Sequence, residues 1–142
     1  MIVPNRTLPP ALMMPSPSLQ NVPSSMEEVV PELPVNVADY AAASALKRGI
    51  DPVRFKRLIA CESQWREDAA GDNGTSFGIL QFKTPTFTHF KKKYKIENIS
   101  IDNPRDQIDL AALMISNGHL GHWKNCARRT GWTQHLQQLA QQ

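Results

Sequence analysis

The chain has 142 residues, enough for one compact domain and too few for two ordinary ones. It carries 16 Lys and Arg against 13 Asp and Glu, a net charge of +3. No apolar run approaches the roughly 20 residues of a membrane span, which argues against a spanning protein.

Eight of the eleven prolines (Pro4, Pro9, Pro10, Pro15, Pro17, Pro23, Pro31 and Pro34) fall in the first 34 residues. Proline fixes its own φ, donates no backbone hydrogen bond and pushes the preceding residue toward extended conformations. Residues 1–35 therefore read as an extended arm or linker, and residues 36–142 as the folded domain. The charge divides at the same place. The arm holds one Arg and three Glu, whereas the domain holds 15 basic residues against ten acidic ones, a net +5. A basic domain is drawn to anionic polymers. The most apolar patch of the arm, residues 11–14, is bracketed by prolines. It lacks the basic start and uninterrupted apolar core of a secretory signal, so none is expected.

In the domain, alanine-rich residues 37–48 predict a helix stopped by Gly49. Asp51-Pro52, Thr84-Pro85 and Asn103-Pro104 each place a capping oxygen before a proline, the arrangement of a helix start. The helix opened by Pro104 carries an apolar face of Ile108, Ala111, Ala112 and Ile115 and ends near Gly118. Shorter helices are expected over residues 121–128 and 133–142. Residues 71–82 differ: three glycines with Asp72, Asn73, Thr75 and Ser76 predict turns and short strands. The expected fold is mainly α, one helical domain with a small turn-rich lobe after its second helix. The run Lys91-Lys92-Lys93-Tyr94-Lys95 has no accompanying nucleic-acid motif and reads as a solvated helix face, so no nucleic-acid partner is expected. Cys61 and Cys126 match no metal-ligand spacing, and with four scattered histidines no metal site is expected. The two cysteines either pair in an oxidising compartment or stay buried as thiols.

One side chain breaks the apolar pattern. Phe55, Leu58 and Ile59 form a stripe, and continuing it by a helical turn lands on Glu62. Burial of a carboxyl without a cationic partner raises its pKa. A neutral carboxylic acid is what general-acid cleavage of a glycosidic bond requires; that direction of tuning is a worked case for lysozyme. The alternative is that Glu62 only ends a helix and reaches solvent or Arg66.

The residues around it carry a resemblance. Cys61-Glu62-Ser63-Gln64-Trp65, followed by Gly71-Asp72-Asn73-Gly74-Thr75-Ser76-Phe77-Gly78-Ile79-Leu80-Gln81-Phe82, resembles the lysozyme superfamily, in particular lytic transglycosylases of the SLT type and goose-type lysozymes. The likeness is closest over residues 55–90 and looser through Trp123; residues 1–35 resemble nothing in it. It implies a lysozyme-like α+β domain that cuts the β-1,4 bond between N-acetylmuramic acid and N-acetylglucosamine in peptidoglycan, with Glu62 as general acid and base and no cofactor. Ser63 would hold the following turn. Gly78 would let backbone approach the sugar. Gln81 would bind substrate or orient Glu62, or else tie lobe to helix.

Chicken-type lysozymes carry a second carboxylate two residues before this glycine, where the chain has Ser76. Two routes remain. In a transglycosylase Glu62 acts alone and the substrate's own C6 hydroxyl closes a 1,6-anhydro ring. In an inverting muramidase Asp72, at the goose-type position, activates water. Ser76, Phe77, Tyr94, Asn117 and Trp123 complete the expected substrate-binding set, the aromatic rings as stacking faces for sugars or as core, and Asn117 as a sugar contact or a plain helix stop. The competing function is a non-catalytic structural or glycan-binding module that keeps the fold. A wall-cutting domain with a proline-rich arm and no signal fits a component carried to the bacterial wall or periplasm by a larger assembly, a phage particle or a secretion machine, docked through residues 1–35.

Overall fold

The computed structural model describes residues 36–140, and three of its helices begin where a capping side chain meets the first free backbone amides. Helix α1 (Val37–Lys47) is capped by Asn36, whose side-chain oxygen accepts from the Asp39 amide at 2.7 Å. It stops before Gly49, at φ +76°. Helix α2 (Pro52–Ser63) has Pro52 in its first turn and Asp51 as cap, accepting from the Val53 and Arg54 amides. Phe55, Leu58 and Ile59 are fully buried on one face, each side chain worth about 1.5–3 kcal/mol in burial. Helix α2 ends abruptly, because Gln64 and Trp65 both take left-handed backbone angles (φ 56° and 65°).

The chain then makes a small antiparallel sheet. Strands β1 (Ala70–Gly71), β2 (Ser76–Phe77) and β3 (Phe82–Lys83) lie in the order β1-β2-β3, with Ala70 opposite Phe77 and Phe77 opposite Phe82. The β1–β2 link is a 3-10 turn, Asp72–Gly74. Its three residues all have positive φ (51°, 59° and 87°), which suits the sequence Asp-Asn-Gly, since these residue types tolerate the left-handed region best.

Helix α3 (Thr84–Lys93) corrects one expectation. Thr84 does not cap it; Thr84 is its first residue, and Lys83 occupies the cap position with no side-chain capping bond. Strand β3 runs straight into the helix, and the Lys83 side chain is committed to the lobe. Helix α4 (Pro104–Ser116) starts as expected at Asn103, whose side chain accepts from the Arg105 and Asp106 amides. The single helix expected over residues 121–128 is instead a 3-10 turn, Leu120–Trp123, followed by α5 (Lys124–Arg129). Helix α6 (Trp132–Ala140) follows. Mainly helical with one small sheet, the domain has the fold class that the sequence indicated. Among the described residues no helix is long and apolar enough to cross a membrane.

Helix α1 packs on α2 and α4. Asp109 of α4 accepts from the Tyr40 hydroxyl (2.5 Å) and the Ser44 hydroxyl (2.8 Å), tying the first helix to the fourth. Burial, with that carboxylate beside it, pushes the Tyr40 phenol up to about 12. Helix α5 packs on α2 and α6. The Trp132 ring stands edge-on to Phe55 at 6.5 Å. A disulfide joins Cys61 of α2 to Cys126 of α5, with Cα atoms 5.8 Å apart, which closes the question the spacing left open.

The lobe is fixed to the helices by one buried amide. Gln107 of α4 is fully buried; its oxygen accepts from the Leu80 amide, and its nitrogen donates to the Phe77 and Ile101 carbonyls. Gly78 lies against it. A Cβ there would sit 2.3 Å from the Gln107 amide nitrogen, and φ is +87°, so only glycine fits.

Candidate active site

A cleft of about 400 Å³ runs between the lobe and the segment from Gly121 to Arg129. Glu62, in the last turn of α2, forms part of it. The α2 stripe aims this residue inward, and Ser63 fixes the turn that follows: buried, it donates to the Ile79 carbonyl of the lobe at 2.8 Å and to Ile59 in its own helix. Arg66, the cation closest in sequence, donates instead to the Ser63 carbonyl. Neither the Arg54–Asp51 nor the Lys83–Asp72 ion pair involves Glu62.

Burial first, then the negative charge of Asp72, pushes the Glu62 carboxyl up to about 7; the positive charge of Arg129 works against them. Its position at a helix C-terminus favours the neutral form as well. Asp72 goes the other way. Hydrogen bonds from Ser76 and Lys83, and the Lys83 charge, hold its exposed carboxyl below the usual range. Ser76 is 3% exposed and donates to Asp72 at 2.8 Å, while the Lys83 ammonium reaches Asp72, Thr75 and Ser76 at 3.0–3.1 Å. One cleft thus contains a carboxyl poised to give up a proton near neutrality and a second that stays ionised.

Five residues of the expected site border this cleft: Glu62, Asp72, Ser76, Gln81 and Trp123. Four do not. Phe77 and Gly78 are in the lobe with Gln107 against them. The Tyr94 ring stacks on Phe90 at 5.9 Å, away from the cleft lining. Asn117 ends α4, its side chain donating to the Leu113 carbonyl, and this favours the helix-stop alternative. Trp123 borders the cleft but is only 4% exposed. Its ring nitrogen donates to the Leu80 carbonyl and its ring packs edge-on to Phe82, so it offers sugars little free face. Gln81, with left-handed backbone at φ 52°, donates to the Ala69 and Gly78 carbonyls, so its amide ties the lobe to itself and not to a helix.

Sequence reasoning missed the facing wall: His122, Lys124, Asn125 and Arg129, with Lys83 and Thr86 at the lobe end. Burial, then the charges of His119 and His89, hold the His122 imidazole below its usual range. The signal for this wall was the cysteine pair. Cys126 bonded to Cys61 carries its neighbours to Glu62, but with the pairing open the segment had no address.

A helical domain with a small sheet beside a cleft holding one raised carboxyl defines the lysozyme-like class. The family described as Transglycosylase SLT domain matches residues 39–129, and the chain belongs to it. Its general activity is therefore that of a lytic transglycosylase, and peptidoglycan is its substrate. Neither the curated proteins nor the solved structures give a match.

Proposed function

We propose that Glu62 is the catalytic acid and base of a lytic transglycosylase that cuts between N-acetylmuramic acid and N-acetylglucosamine. The observation that carries this is a half-buried carboxyl in the polar cleft, raised to about 7 and outside both ion pairs. In its neutral form Glu62 donates its proton to the bridging oxygen as the C1–oxygen bond breaks and positive charge builds at C1. The resulting Glu62 carboxylate then takes the proton of the sugar's C6 hydroxyl while that oxygen bonds to C1. A 1,6-anhydro product leaves and the acid is restored. Asp72 is ionised on the same cleft but paired with Lys83 at 3.0 Å, so the charge at C1 is met chiefly by the Glu62 carboxylate that forms as the proton leaves. Gln81 and Ser76 support the lobe edge, Ser76 by holding Asp72.

A second reading, inverting hydrolysis with Asp72 activating water, is favoured by that carboxyl's ionised state in the same cleft. Mass spectrometry of digested sacculi separates the two, since anhydro-muropeptides mark the first and reducing ends the second. Glu62→Gln should lower turnover at least about 100-fold in either case. A Glu62→Gln protein that clears sacculi as fast as the parent would instead favour the non-catalytic glycan-binding module.

The proline-rich composition of residues 1–35 supports their role as a tether, separate from a catalytic domain at 36–142, that docks the enzyme on a phage particle or secretion machine. Deleting them should leave murein cleavage intact and abolish incorporation. Retained incorporation would refute the tether.

A further inference from the structure

The charges that border the cleft do not balance. Asp72 is neutralised by Lys83 at 3.0 Å. With Glu62 in its neutral form, Lys124 and Arg129 are left without an opposing charge on the lining. Both residues are exposed and neither belongs to an ion pair among the described residues, although the Arg129 charge acts on the Glu62 carboxyl when that is ionised. They belong to one short helix, α5, and the disulfide to Cys61 pins that helix beside Glu62: Cys126 lies two residues after Lys124 and three before Arg129. The two cations thus occupy the wall facing the lobe, held at a fixed place relative to the acid.

The sugar backbone of peptidoglycan is uncharged, so it gives two cations nothing to pair with. Its anions are the carboxylates of the peptide stems, which hang from the lactyl group of the sugar whose C1 bond is cut. We propose that Lys124 and Arg129 form a stem-recognition wall: they bind a stem-peptide carboxylate and so direct the enzyme to strands that keep their peptides. This rests on the peptidoglycan-cleaving reading above. Arg129, with its planar fork of donors, suits a carboxylate in two-point contact; Lys124 adds a point charge. Neither is needed for a bond to form or break, and because the Arg129 charge also lowers the Glu62 pKa, the stem contribution is read as the difference in KM between substrates and not from kcat.

The test compares two preparations of glycan strands freed of phosphate polymers, so that stem carboxylates are the only anions: one intact, one with those carboxyls converted to amides. The enzyme should show a KM about three- to tenfold lower on intact strands, a preference that shrinks in 0.5 M salt as screening requires. The Lys124→Gln/Arg129→Gln variant should lose that preference, and Arg129→Lys should recover part of it. Equal KM on the two preparations for the parent enzyme, or a preference that survives in the double variant, overturns the proposal. Failure of the parent to cut either preparation would sink the catalytic reading itself, a result distinct from cutting both equally.

Discussion

At the scale of single residues, Glu62 makes a stability claim that catalysis does not. A carboxyl raised from 4.5 to about 7 binds its proton more tightly in the fold than in the open chain. Its contribution to stability is fully present below pH 4.5 and is lost as pH rises through 7. The full shift corresponds to roughly 3 kcal/mol, and partial exposure to water cuts it to on the order of 1–2 kcal/mol. Glutamine imitates the neutral acid at every pH. Glu62→Gln should therefore match the parent in thermal melting at pH 4.5 and exceed it at pH 8. An identical difference at both pH values would mean that the carboxyl is not raised. With Glu62 as the acid proposed above, the same titration should give cleavage an alkaline limb near pH 7, because only the protonated form could begin the reaction.

At the scale of elements, the disulfide joins the helix of the acid to the helix of the facing wall. It closes a separation of 65 residues, and constraining an unfolded loop of that size is worth about 4 kcal/mol in the chain-entropy view. Cys61→Ser/Cys126→Ser should melt at least about 10 °C lower. It should also lose kcat/KM at temperatures where it remains folded, since Cys126 borders the cleft and Cys61 adjoins Glu62. A variant with unchanged melting would show that packing of α2 on α5 suffices.

The elements also show what was legible beforehand. Asn36, Asp51 and Asn103 announce helix starts through local chemistry, and the α2 stripe alone aims Glu62 inward. Thr84 misled because the Lys83 side chain had partners in the lobe, 7–11 residues away in sequence. Gln107 left no trace, since an isolated glutamine in a helix looks like a surface residue until the Leu80, Phe77 and Ile101 backbone groups arrive around it. The aromatic rings could not be sorted between cleft and core for the same reason. Local caps and periodicity are written within a few residues; whether a polar or aromatic side chain meets backbone or solvent depends on elements far away.

At the scale of the whole molecule, charge and core separate. Every residue of the described core lies between Ala41 and Trp132. A chain reduced to residues 36–142 should therefore melt within about 2 °C of the full chain, because no part of that core is removed. Its net charge rises from +3 to +5, since residues 1–35 contribute three Glu and one Arg. A polyanionic wall attracts the more basic chain more strongly, over a range set by the Debye length, about 10 Å at 0.1 M salt and 3 Å at 1 M. The shortened enzyme should accordingly bind sacculi more tightly than the full chain at low ionic strength, with the two converging as salt approaches 1 M. A gap that persists at high salt would require a part for residues 1–35 in wall binding beyond their charge, and a large loss of melting temperature would move them from tether to structural element.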